Sequence, residues 1–362
     1  MIVVLALALC LLGACGNGSS SGSLPGPTVT RPTPSGDLRT VRLGLSTLPP
    51  EETNDAVIGA FATIAQYADV ALIQRPPPWA DFLPGAQVSA ATTETTRFET
   101  TLLDQYKGLK RFYAIDPTDS VVQRARIANL PSSIDPQAGF NDPSLRAAFL
   151  SYTAYVVKNY KPDYLALGVE INMLYERAPA QFDAFVSLYK EAYDVAKAAS
   201  PKTKVFPTFQ LEDLEGMFGD IHPPHWEVID RFRGKMDALG ISTYPFLAGI
   251  RSSADLPADY YSQLKDHYSG EILVAEAGYA SAPVGGQVNV GTEEDQQAFV
   301  VRLLNDAQAN GFSLVVWYAA LDPVFATRGA ESVFKDIGLR KSDGSNKLAW
   351  GTWEEWARRP LS

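Results

Sequence analysis

Eight short apolar runs, each followed by a stretch with helical spacing, occupy the 362-residue chain from about residue 38 onward. The runs are Val41–Ser46, Asp69–Gln74, Leu109–Ile115, Leu165–Asn172, Lys204–Gln210, Asp237–Tyr244, Glu271–Gly278 and Ser313–Tyr318. The intervening helices are expected at Asn54–Tyr67, Thr95–Tyr106, Pro143–Asn159, Ala178–Ala199, Trp226–Phe232, Tyr260–Tyr268, Glu293–Asn310 and Trp350–Arg358. In Ala178–Ala199, Phe182, Phe185, Leu188, Tyr189 and Ala192 recur at the spacing of one buried helix face. Short apolar strands that alternate with helices demand parallel pairing and right-handed crossovers, and eight such units close into a single α/β (β/α)8 barrel. An open doubly wound sheet would want a Gly-rich loop after its first strand, and Ser46-Thr-Leu-Pro-Pro50 is not one.

The residues before the first strand fall into two parts. Met1 to Ala14 is an uncharged apolar run too short for a comfortable membrane span, as expected of a signal segment. Leu12-Gly-Ala-Cys15 resembles the bacterial lipobox, which implies lipidation of Cys15 and a place in the bacterial cell envelope, facing the periplasm or exterior. Residues 15–37, rich in Gly, Ser, Pro and Thr, bury too little to offset chain entropy and are expected to form a tether. The domain proper then spans 38–362. With Cys10 and Cys15 accounted for, that domain has no cysteine, which excludes disulfides and cysteine-based metal sites. A formal charge of -10 argues against nucleic acid and is compatible with a neutral substrate.

In such a barrel the chemistry sits at the carboxyl ends of the strands, where alternate residues point inward. Sorting each run by parity puts Ala166, Gly168, Glu170 and Asn172 on one face of the fourth strand, and Ile272, Val274 and Glu276 on one face of the seventh. The sixth contributes Gly240, Ser242 and Tyr244, and the eighth Ser313, Val315 and Trp317. The inward sets thus end in Glu170, Tyr244, Glu276 and Trp317. A carboxylate at the end of an apolar strand must be solvated, paired or used, and two of them facing each other match the requirements of glycoside hydrolysis.

These segments resemble the clan A glycoside hydrolases, and among them family 53, the endo-β-1,4-galactanases of arabinogalactan. Leu167-Gly-Val-Glu-Ile-Asn172 is similar to that family's Gly-Asn-Glu-Ile stretch, and Gly240 to Phe246 to its strand-six Ser, Tyr, Pro segment. Val274 to Tyr279 resembles its nucleophile strand, and Val316-Trp-Tyr318 its last strand. The resemblance implies a retaining enzyme without a cofactor, with Glu170 as acid/base and Glu276 as nucleophile. By the same resemblance Tyr244 hydrogen-bonds the nucleophile and Trp317 forms the floor under the sugar. Tyr318 and Trp79 offer further aromatic faces for stacking on a pyranose. Val169 stands where the clan has an asparagine that contacts the substrate 2-hydroxyl. Its presence implies an unusual substrate or weakened catalysis, with Asn172 as the candidate to take over the contact.

Asp116, Gln210 and Arg75, each at a strand end, are candidate sugar contacts. The pair His222 and His225, around Pro223-Pro224, reads as loop decoration without a regular ligand frame, so no metal is expected. The expected partner is a carbohydrate, bound by a monomer. The runner-up is a catalytically weakened barrel that binds glycan.

Overall fold

Proline 207 interrupts the fifth strand, because a residue without an amide N–H cannot continue a central ladder. In the computed structural model, which describes residues 26–119, 123–217, 222–283, 291–326 and 329–362, the interruption sets the topology. The strands are β1 (Arg42–Ser46), β2 (Val70–Arg75), β3 (Lys110–Ile115), β4 (Tyr164–Leu167), β5 (Lys204–Phe206), β6 (Thr208–Gln210), β7 (Leu239–Thr243), β8 (Ile272–Ala277) and β9 (Leu314–Trp317). Their order is β5-β4-β3-β2-β1-β9-β8-β7-β6, all parallel. The two ends of this sheet, β5 and β6, are successive halves of one strand, so the sheet closes on itself as the expected eight-unit α/β barrel. The expected signal segment and Cys15 lie outside the described residues.

The helices are α1 (Asn54–Tyr67), α2 (Trp79–Phe82), α3 (Ala90–Gln105), α4 (Pro143–Tyr160), α5 (Asn172–Arg177), α6 (Pro179–Ala199), α7 (Leu211–Leu214), α8 (Glu227–Asp230), α9 (Leu264–His267), α10 (Glu293–Asn310) and α11 (Leu348–Arg358). Local chemistry sets their ends. Asp142 caps α4 through two backbone N–H groups with Pro143 just inside. Thr292 and Asp295 form a capping box on α10, and Gly311 ends that helix at φ +70°. The apolar faces of these helices pack on the outward residues of the strands in one continuous core.

Three readings are corrected here. First, the fourth strand stops at Leu167 and does not run to Asn172, because Gly168 (φ +103°) and Glu170 (φ +49°) adopt left-handed backbone. Gly168 is required twice over, since a Cβ there would lie 2.7 Å from the Phe185 ring. Second, β8 carries a bulge: Ile241 pairs with Val274 but Ser242 with Glu276, so Ala275 is the extra residue. Glu276 therefore faces inward with Leu273, while Val274 faces the helices. Third, the parity of the last strand is reversed. Gly44 pairs with Val316 and its added Cβ would meet that side chain at 2.8 Å inside the barrel, which turns Val315 and Trp317 outward.

At the amino end of the barrel, Asp69 joins four segments. It accepts two hydrogen bonds from Arg39 (2.6 and 3.0 Å), one from the Leu43 amide (2.9 Å) and others from Arg31 (3.3 and 3.4 Å). Arg39 also reaches the Val41 and Arg359 carbonyls. Residues 26–37, part of the expected tether, are packed at this same end: Gly26 exchanges two hydrogen bonds with Gln105, and Tyr106 donates to the Pro27 carbonyl. Burial alone would push the Asp69 carboxyl up, but Arg39 overrides it and holds the group below its ordinary value of 3.8. A lowered pKa contributes stability that is complete above about pH 4 and lost as pH falls through the folded-state value. Asp69→Asn is expected to cost about 3–5 kcal/mol by leaving Arg39 buried without its partner, and to flatten the loss of stability below about pH 4. Urea unfolding of both proteins between neutral and acidic pH measures this.

Candidate active site

The irregular turn after β4 aims Glu170 into the mouth of the barrel. Its backbone N–H donates to Thr208 Oγ1 at 2.9 Å, which anchors the strained residue to β6. Both carboxylate oxygens are engaged: Ser242 Oγ donates to Oε1 at 2.6 Å, and Arg124 Nε to Oε2 at 2.7 Å. Across the mouth, Glu276 Oε2 accepts from Tyr244 OH at 2.9 Å. Ser242 and Tyr244 share the inward face of β7, so one strand holds both carboxylates. Ser242 is in register with Glu276 while bonding Glu170.

Arg124 completes the cluster. It lies in the loop after β3 at φ +40°, only 1% exposed, and its Nη1 donates to Asp116 Oδ1 (2.8 Å) and Thr118 Oγ1 (2.9 Å). One guanidinium thus bridges two carboxylates beside a third. Glu276 is raised above the ordinary glutamate range, first by burial and then by the charge of Glu170, while Arg124 and the Tyr244 hydroxyl restrain the rise. Asp116 is raised by burial against the same guanidinium. Tyr244 and Tyr318 are pushed up by burial and then by Glu276, which places both phenols in the field of the site.

The candidates separate into two groups. Glu170, Glu276, Tyr244, Asp116 and Tyr318 are brought together. The indole of Trp317 instead packs near Phe299 of α10, centroids 6.1 Å apart, and its N–H donates to the Ile337 carbonyl at 2.8 Å, so it is no floor for a sugar. Tyr318 takes the inward place one residue on, edge-on to Tyr244 at 6.5 Å. Asn172 is spent: its Nδ2 donates to the Gln210 carbonyl and to Asp213 Oδ2, and its Oδ1 accepts from the Gln210 amide. Gln210 caps α7 through Asp213 and bonds Glu212. Arg75 points toward the helices and pairs with Glu99, and Trp79 is buried with its N–H on the Ala128 carbonyl at 2.7 Å.

A cavity of about 720 Å³ opens on the β1–β3 side, lined among others by Ser46, Gln74, Arg75, Trp79, Tyr113 and Tyr318. The carboxylates are not part of its lining, and Tyr318 is the side chain that belongs to both. Two buried groups escaped the sequence. Arg124 sits in a loop without periodicity, and no signal there distinguishes it. Glu212, fully buried, accepts from Thr243, Tyr260 and the Tyr244 amide, and thereby fixes the backbone that carries Tyr244.

No protein-family model matches the chain, and no curated protein matches it in sequence. Solved structures do match. The GH5_18 protein of Bifidobacterium longum superposes with a TM-score of 0.66 at 16% identity, covering 89% of this chain and 81% of that one. The Ignisphaera aggregans GH53 catalytic domain gives 0.59 at 17% identity, covering 91% and 99%. An exo-β-1,4-mannosidase from Opitutaceae bacterium strain TAV5 gives 0.65 at 15% identity over 91% of this chain, which spans 62% of the mannosidase's length. At these identities the likeness is one of fold. All three share the barrel whose carboxyl end holds the cluster described above.

Replacing Arg124 by Met removes the cation from between Asp116 and Glu170. The Glu276 titration is expected to move further upward, since Arg124 restrains it, and the fold to lose about 3–5 kcal/mol. Carboxyl ¹³C NMR titration with urea unfolding reads both effects.

Proposed function

We propose that the protein is a retaining glycoside hydrolase acting on a β-linked glycan, with Glu170 as acid/base and Glu276 as nucleophile. The observation that carries this reading is the pair of carboxylates at the carboxyl ends of β4 and β8, each held by a hydroxyl from β7. Two interacting carboxyls retain one proton between them over a wide pH range, and double displacement needs one acid and one carboxylate. In the free protein burial and the charge of Glu170 favour the proton on Glu276, while Arg124 holds Glu170 as an ion pair. Double displacement requires that proton on the acid, so this reading needs substrate binding to reverse the preference. The structural neighbours support the substrate class: they include a β-1,4-mannosidase, a β-glucosidase from Thermotoga maritima and a GH5_18 protein in complex with Manβ1-4GlcNAc.

One contact favours a second reading, a glycan-binding barrel without turnover. With Arg124 on one oxygen of Glu170 and Ser242 on the other, both oxygens already accept a hydrogen bond, and Val169 supplies no side-chain amide for the 2-hydroxyl. Reducing-sugar release from a panel of β-linked glycans separates the two. The hydrolase reading expects release with retained anomeric configuration by ¹H NMR, and a fall of roughly 10²–10⁴-fold in Glu170→Gln, with Glu276→Gln at least as impaired. Binding without release on every glycan supports the second reading and ends the first.

The pH dependence is a further test. The active form carries one proton on the pair, so the raised pKa of Glu276 marks the loss of that proton: kcat/KM should fall as pH rises through it, placing the basic limb above the ordinary glutamate range. The Tyr244 hydrogen bond lowers that pKa, so Tyr244→Phe is expected to move the limb to higher pH. An unmoved limb assigns it to another group.

A further inference from the structure

Glu176 of α5, His222 and His225 each turn one ligand atom toward the others, all within 4.8 Å. His225 Nε2 lies 2.6 Å from Glu176 Oε1. His222 Nε2 is buried without a hydrogen-bond partner among the described residues, 4.0 Å from Asp213 Oδ1. The two rings stand 4.6 Å apart at 36°.

The opposite nitrogens decide what these rings can do. His222 Nδ1 lies 2.8 Å from the Pro223 carbonyl, and His225 Nδ1 lies 3.1 Å from Glu227 Oε1. Both partners can only accept, so with a metal bound both Nδ1 atoms would carry the proton and each Nε2 would present its lone pair to the shared space. A carbonyl or carboxylate behind each imidazole is how proteins orient histidines that bind metals.

We propose that Glu176, His222 and His225 form a binding site for a divalent transition metal of the zinc type, with Asp213 close enough to serve as a fourth ligand. Two imidazoles with one or two carboxylates are an N/O donor set that suits zinc and neighbouring first-row metals, whereas calcium and magnesium prefer oxygen alone. Metal bonds of about 2.0–2.2 Å require the Glu176 and His225 atoms to part slightly and His222 to move inward, which rotation of half-exposed side chains permits. The ion would tie α5, which begins two residues after Glu170, to the loop that precedes α8. Its role is to brace that segment, and the inference holds whether or not the barrel hydrolyses a glycan.

The test uses the full chain stripped with a chelator, then titrated with Zn²⁺ by calorimetry and with Co²⁺ by visible absorption. Saturable binding of one equivalent is expected, with d–d bands of a low-coordinate Co²⁺ site and a Tm that rises with Zn²⁺. The double variant His222→Ala/His225→Ala should lose the site, and Glu227→Ala, which removes the acceptor behind His225, should weaken it about 10–100-fold. Glu176→Gln, at an exposed position, gives the same reading should the double variant fail to fold. No saturable binding, or binding undiminished in Glu176→Gln and the double variant, overturns the proposal and leaves His225 as a protonated bridge between Glu176 and Glu227.

Discussion

The Arg124 guanidinium, buried between Asp116 and Glu170 and close enough to influence Glu276, is the charge on which the rest of the site depends. Three carboxyl groups in one buried rim cannot all ionise without a cation, because both desolvation and mutual repulsion oppose it. The cation offsets part of that cost, and Glu276 remains raised by burial and by the charge of Glu170. Neighbouring features are consistent with this arrangement. Thr118 takes a further guanidinium hydrogen bond, and Ser242 and Tyr244 donate into the carboxylates and not to one another. Two of the four non-glycine residues with positive φ among the described residues, Arg124 and Glu170, are partners in the same ion pair.

The barrel was legible in the sequence because its elements are set by local patterns: Asn54–Tyr67 and Glu293–Asn310 form helices with the expected ends, and all eight strands occur where the apolar runs lie. What failed was parity at three places, and each failure has a local cause. Alternation presumes an uninterrupted pleat, whereas Gly168 and Glu170 break it after β4 and Ala275 adds a residue to β8. Glu276 faces inward because of the bulge, for a reason different from the alternation that suggested it. On the last strand both Trp317 and Tyr318 are large aromatics, and composition does not say which one faces a helix layer. The decision lies with Phe299 and the Ile337 carbonyl, remote in sequence.

Side-chain availability was the other thing hidden from the sequence. Arg75 is paired with Glu99, Trp79 and Asn172 bond groups remote in sequence, and Gln210 bonds Glu212 and Asp213 in the turn that follows it. Only Tyr244, Asp116 and Tyr318 remain beside the carboxylates. Asn172 is the most instructive case, because its two bonds to Gln210 and one to Asp213 lock the turn that carries Glu170 and leave no amide for a ligand.

The segment at Gly26 and Pro27 has a geometric consequence of its own. It is hydrogen-bonded to Gln105 and Tyr106 at the amino end of the barrel, the pole opposite the carboxylates, and the final residues return to the same pole through Arg39. The first and the last of the described residues therefore lie at the same pole. The described terminal segments thus leave the opposite pole, with Glu170 and Glu276, to the loops that follow the strands.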